Sequence, residues 1–129
     1  MTKSVPRILL VDDSPLSLAC AEDALREAGF EVACATDLSA LDQLAKDQRF
    51  DLMLMDVVMP EAFGDDVANV LRWVRGVETP ILLLSSLADD ELAQRVLDAE
   101  LDGYIPKRLG LDGMVGRVRD FLASRAVAS

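Results

Sequence analysis

Five side chains that could share one reaction stand directly behind short apolar runs. Asp12 and Asp13 follow Ile8–Val11, and Asp56 follows Leu52–Met55. Ser85 follows Ile81–Leu84, and Lys107 comes just after Tyr104–Ile105. Three carboxylates brought to one place repel one another, and a hard divalent cation removes that penalty. Mg²⁺ (or Mn²⁺) fits such a donor set, because it takes oxygen ligands and is usually held by one or two carboxylates plus phosphate oxygens. An aspartate can also act as a nucleophile and form an acyl phosphate. A lysine and a hydroxyl can then cover phosphoryl oxygens, since catalysis of phosphoryl transfer is mostly positioning and charge stabilisation. The chemistry to expect is transfer of a phosphoryl group to a carboxylate beside a metal ion.

Each of these residues also has a local explanation. Ser14 before Pro15 is a good N-cap followed by proline at the first helical position, and acids favour a helix N-terminus. Asp56 before "VVMP" suits a turn. Ser85 could cap, and a lone lysine is usually solvated. Only convergence separates the two sets of explanations, so the elements that carry the residues decide.

Strand-like and helix-like segments alternate five times. Ile8–Val11, Val32–Ala35, Leu52–Met55, Ile81–Leu84 and Tyr104–Ile105 are short continuous apolar runs, the pattern of strands buried on both faces. Between them, Leu18, Ala21, Leu25 and Ala28 share a helical face, with Gly29 as the stop. Leu38, Leu41, Leu44 and Ala45 make a second helix with Asp37 as its N-cap. Val67, Val70, Leu71 and Val74 make a third, and Leu92, Val96 and Leu97 a fourth. Met114, Val115, Val118 and Leu122 make a fifth, whose start is weakened by Gly110, Gly113 and Gly116. Such alternation predicts an α/β sandwich with a parallel sheet. Right-handed crossovers then put every strand's C-terminal end on one edge, where ligands of open α/β folds bind. All five chemical residues fall at that edge.

The 129 residues suit one domain, and 51% of them are apolar, enough for one aliphatic core. The formal net charge of −10 argues against direct binding of nucleic acid, whose phosphates need Lys and Arg. Charge is uneven: residues 107–129 hold five basic and two acidic side chains, leaving the acid excess on the remainder. There is no histidine, which excludes His-based acid–base chemistry, zinc–His sites and a phosphohistidine on this chain. Cys20 and Cys34 lack metal-ligand spacing and read as reduced core thiols. Nothing approaches a membrane span or a secretory leader, so a soluble cytoplasmic protein is expected.

At this point the chain resembles the receiver domain of two-component response regulators, including the single-domain chemotaxis regulators. The resemblance runs from "ILLVDDSP" through "LMLMDVVMP", "PILLLSS" and "GYIPK" to "RVRDFL". It implies a flavodoxin-like, doubly wound (βα)5 sandwich with parallel strand order 2-1-3-4-5. It implies one receiver domain over residues 1–129, with no effector domain in this chain. It makes Asp56 the phospho-acceptor and Ser85 and Lys107 its catalytic companions. Asp13 would bind Mg²⁺ directly, Asp12 mostly through water, and Asp56 and the Val58 carbonyl would complete the metal set. Ser85 and Tyr104 match the family's switch pair, which reshapes the face formed by helix four, strand five and helix five. Val58 and Leu87 stand at positions linked to loss of the phosphate. Both are apolar and cannot orient a water, so slow self-dephosphorylation is expected.

A receiver needs a histidine kinase or a histidine phosphotransfer protein as donor, expected to dock near helix one beside Leu16 and Leu18. Its output is a downstream protein target, and it promotes only its own phosphorylation and dephosphorylation rather than acting as an enzyme. "GRVRDFL" also resembles receivers that pair through the helix four–strand five–helix five face, with Arg117 and Arg119 against Asp98, Glu100 or Asp102; a solvated basic helix explains the same residues. The chain departs from the family at Arg108, where proline usually follows the lysine, at "AFG" (Ala62–Gly64) in place of "MDG", and at Ser86 in place of alanine. Rival readings are a degenerate receiver acting as a phosphorylation-independent binding module, a phosphatase with an Asp nucleophile after strand one, and a flavin-binding protein. The phosphatase would place its two Asp at i and i+2 rather than adjacent. In the flavin protein "DDSP" would repel the phosphate.

Overall fold

The computed structural model describes residues 5–47, 49–56 and 79–128. Along the chain they form β1 (Arg7–Val11), α1 (Pro15–Glu27), β2 (Glu31–Ala35), α2 (Leu38–Asp47), β3 (Leu52–Asp56), β4 (Ile81–Ser85), α3 (Asp89–Ala99), β5 (Gly103–Pro106), a 3₁₀ turn (Lys107–Leu109) and α4 (Gly110–Ala128). Thus α3 and α4 are the fourth and fifth helices expected from the sequence. The expected third helix, at Val67 to Val74, lies outside the described residues.

The sheet is five-stranded and parallel, in the order β2-β1-β3-β4-β5. Alternate residues of each strand serve opposite faces. Ile8 and Leu10 of β1 join Leu52, Leu54, Leu82 and Ile105 against Leu18, Ala21 and Leu25 of α1 and Met114 and Val118 of α4. Leu9 and Val11 join Met53, Met55 and Ile81 against Leu41 of α2. Leu83 packs with Leu92 of α3 in a smaller cluster that Tyr104 borders. This two-sided burial is why the strands read as unbroken apolar runs.

Local signals mark the starts of α1 and α2. The Ser14 Oγ accepts the Ser17 N–H at 3.3 Å, with Pro15 opening α1. Asp37 Oδ1 accepts the Ala40 N–H at 2.8 Å at the start of α2. Two carboxylates do the same for strands. Asp51 Oδ2 takes the Arg7 N–H at 2.7 Å where β1 begins, and Asp102 Oδ2 takes the Ile81 N–H at 2.8 Å where β4 begins. In both cases the aspartate stands just before the neighbouring strand, and its own N–H donates back to the same residue's carbonyl.

Two expectations need correction. Cys20 is exposed rather than a core thiol, because on α1 it lies more than 90° around the axis from each of the buried Leu18, Ala21 and Leu25. Leu97 is 70% exposed. The buried stripe of α3 runs from Leu92 to Ala99, and Leu97 sits about 140° from Leu92. Of the two residues expected to flank the donor's docking site, Leu18 is core, 6% exposed, and Leu16 is 75% exposed. The last helix runs from Gly110 itself and is entered through the 3₁₀ turn.

Candidate functional site

Strand register gathers the chemical residues. Val11 pairs with Met55, so Asp12 and Asp56 emerge side by side at the β1–β3 junction, where the strand order reverses. Asp56 pairs with Leu84 and Ser85 with Pro106, which brings Ser85 and Lys107 to the same edge.

Asp12 is 7% exposed and fully engaged. Its Oδ1 accepts the Ser14 N–H at 3.0 Å, and its Oδ2 lies 3.4 Å from Lys107 Nζ. Lys107 Nζ also lies 3.9 Å from Asp56 Oδ1. The lysine is therefore seated between two carboxylates and is not a solvated surface group. Both distances exceed the roughly 2.7–2.9 Å of a tight charge-assisted bond, so the ammonium is loosely held. Ser85 is 3% exposed, and its Oγ accepts the Leu87 N–H at 3.2 Å. Its hydroxyl proton remains available for a further acceptor. Tyr104 is half-buried against the Leu83–Leu92 cluster, which Leu87 also borders. Val58 lies outside the described residues.

Asp12, Asp13 and Asp56 each bring one carboxylate oxygen within 4.8 Å of the others. Opposite ligands of an octahedral Mg²⁺ are about 4.2 Å apart. The donor set and its spacing thus fit one such ion after small side-chain shifts, with exposed Asp13 on the solvent side. The local explanations hold as well: Ser14 does cap α1, and Asp12 does close a turn onto Ser14. Asp12 uses one oxygen for the turn and the other toward Lys107, so the two roles coexist.

Beside these carboxylates lies a cleft of about 380 Å³ between the starts of α1 and α4. Leu16, Cys20, Leu111 and Met114 line it, and Asp12 and Lys107 form part of its wall. Leu16 and Leu111 are both large exposed apolar residues. The sequence reading missed Leu111, since its position depends on where the last helix starts.

Comparison with known proteins identifies the family and the fold. A profile of the response regulator receiver domain matches residues 8–119. The chain belongs to the response regulator receiver family. It is 38% identical over 122 residues to the transcriptional regulatory protein PrrA of Mycobacterium tuberculosis, covering 93% of this chain and 51% of that protein. It is 39% identical over 119 residues to the response regulator MprA of the same organism, covering 90% of this chain and 50% of that protein. The receiver chain thus spans about half the length of these curated relatives. Among solved structures, a CheY-like receiver domain protein from Methanospirillum hungatei shares the fold with a TM-score of 0.85 at 23% identity, over 98% of this chain and 100% of that one. The chemotaxis protein CheY4 of Vibrio cholerae matches with a TM-score of 0.82 at 26% identity, over 91% and 98%. The sheet order and the neighbours establish the CheY-like, flavodoxin-type fold, and the family places the chain in two-component signalling.

One departure from the family pattern bears on this receiver's site, while Ala62–Gly64 lies outside the described residues. Arg108 occupies the place after the lysine, and its Nη2 pairs with Asp89 Oδ2 at 2.7 Å. The described residues contain no cis peptide bond. The charges expected to meet a second subunit are partly engaged within the chain. Arg119 donates to the Ala28 carbonyl at 3.3 Å, Asp98 accepts from Gln94 at 2.8 Å, and Asp102 holds the Ile81 N–H. Among the described residues no helix is long and apolar enough to cross a membrane.

Proposed function

We propose that this receiver takes a phosphoryl group onto Asp56 from a phosphohistidine donor. The observation that carries the reading is the convergence of Asp12, Asp13, Asp56 and Lys107 at one sheet edge. An Asp56 carboxylate oxygen attacks phosphorus, the P–N bond breaks, and the imidazole leaves as the acyl phosphate forms. Lys107 neutralises one phosphoryl oxygen. The Ser85 hydroxyl donates to another. Asp12, Asp13 and Asp56, with the Val58 carbonyl, would hold Mg²⁺, which when bound neutralises charge between the carboxylates and the phosphoryl group. The chain acts on itself and turns over no separate substrate.

The donor is a histidine kinase or a histidine phosphotransfer protein, acting in the cytoplasm. Its helix would lie over the cleft between Leu16 and Leu111, since that apolar surface borders the reacting carboxylates. Leu16→Asp should slow transfer from the protein donor and leave phosphorylation by acetyl phosphate unchanged. The output is a protein target reading the surface formed by α3, β5 and α4, reshaped when Ser85 leaves the Leu87 N–H and Tyr104 fills the space. A homodimer through that surface would draw on Arg117 and Glu100, because Arg119, Asp98 and Asp102 already have partners within the chain.

Intact mass after incubation with Mg²⁺ and acetyl phosphate tests the reading. One phosphoryl adduct that needs Mg²⁺ and is lost in Asp56→Asn is expected. Metal binding without any adduct would overturn it.

A further inference from the structure

The two groups that would grip the phosphoryl oxygens stand on different loops. Ser85 ends β4 and leads through residues 86–88 to Asp89, the first residue of α3. Lys107 opens the 3₁₀ turn after β5. Leu109 anchors the far end of that turn against the core, while the end that carries Lys107 is held more loosely. The turn is three residues long, and Gly110 follows at φ 73°, where only glycine bends freely. Among the described residues, its lysine makes two long contacts, to Asp12 and Asp56.

Among the described residues, a short contact crosses between the loops: Arg108 Nη2 to Asp89 Oδ2, 2.7 Å. The other acids in the first turn of α3 are engaged on their own helix. Asp90 Oδ1 accepts the Glu91 N–H at 2.9 Å, and Glu91 pairs with Arg95 at 3.3 Å. Asp89 is thus the carboxylate that faces the 3₁₀ turn.

We propose that Arg108 is a positioning residue: by pairing with Asp89 it ties the Lys107 turn to the Ser85 loop and sets the spacing of the two groups around the phosphoryl site. The inference rests on Asp56 being the acceptor. The pair is exposed, 64% and 46% at the two side chains, so it adds little to overall stability. Its effect lies in the reaction, where both loops must close on the same group, and pre-set geometry speeds that closure. The long arginine side chain can follow a small movement of Asp89 without letting go.

The test is the rate of Mg²⁺-dependent phosphorylation by acetyl phosphate, followed by intact mass with Asp56→Asn as control. Arg108→Ala and Asp89→Ala should each slow the reaction about two- to fivefold, the range open to an exposed ion pair. Their melting temperatures should stay near wild type. The double variant should be no slower than the slower single variant. The exchange Arg108→Asp with Asp89→Arg should regain most of the rate, and about 1 M salt should erase the differences. Single variants at the wild-type rate, or additive losses that the exchange does not repair, overturn the tie while leaving Asp56 as acceptor. A wild-type chain that takes no phosphoryl group overturns the tie together with the reading beneath it.

Discussion

The two cysteines show how far residue type alone can mislead. Both are small and soft, yet only Cys34 sits partly inside. Burial, together with the Glu22 carboxylate and its hydrogen bond, pushes the Cys34 thiol up to about 11, while Arg26 pulls weakly the other way. At pH 8 only about one Cys34 in a thousand is then a thiolate. A thiol reagent at that pH should label one cysteine, Cys20, quickly and the second only after unfolding; fast double labelling of the folded chain would contradict this. The sign of the pH effect follows from the raised value. The folded state keeps its proton where the unfolded state, near 9.0, has lost it. Stability is therefore full below pH 9 and falls as pH rises toward 11. Cys34→Ala should flatten that decline in denaturant titrations. Leu87 belongs to this scale too. It packs against the Leu83–Leu92 cluster and offers no group to orient a water, so the acyl phosphate should persist for minutes or longer; decay within a few seconds would refute it.

Among the elements, the last helix and its approach carry the most information. Its glycines look alike in the sequence and differ in space. A Cβ on Gly113 would stand 2.6 Å from the Leu109 Cβ, whereas one on Gly116 would meet nothing within 4 Å. Replacing a helical glycine by alanine usually gains about 1 kcal/mol. Gly116→Ala should show that gain as a higher melting temperature. Gly113→Ala should lose it or reverse it, because the clash pushes on the turn that carries Lys107, and it should also slow phosphorylation. Equal stabilisation by both would refute the packing argument. The strand starts tell a similar story. "FDL" and "LDG", at residues 50–52 and 101–103, place an aspartate just before a strand, and each carboxylate holds the first N–H region of the neighbouring strand. That repeated pattern was visible in the sequence, but not its partner, because the hydrogen bonds reach back 44 and 21 residues. Helix caps, which reach three residues, were legible at Ser14 and Asp37.

Over the whole molecule, the fold brings three carboxylates together at one sheet edge. An ion that binds only the folded state stabilises it by mass action. Mg²⁺ at about a hundred times its dissociation constant should add ~2.7 kcal/mol, or on the order of 10 °C in melting temperature for a domain of this size. Asp13→Asn should leave the metal-free protein at least as stable as wild type and remove most of that gain. A melting temperature indifferent to Mg²⁺ in wild type would count against a metal site here. What the sequence by itself determined was the alternation of elements, the strand cores and the edge to which Asp12, Asp13, Asp56, Ser85 and Lys107 belong. Those features follow from short-range periodicity and from the fixed hand of parallel crossovers. Only the tertiary structure decided which residues touch across that edge: Lys107 between two aspartates, Arg108 on Asp89, Leu16 and Leu111 about one cleft, Cys20 outside and Leu18 inside. Such contacts depend on the rotation of each helix about its axis and on where each loop ends, and packing sets both.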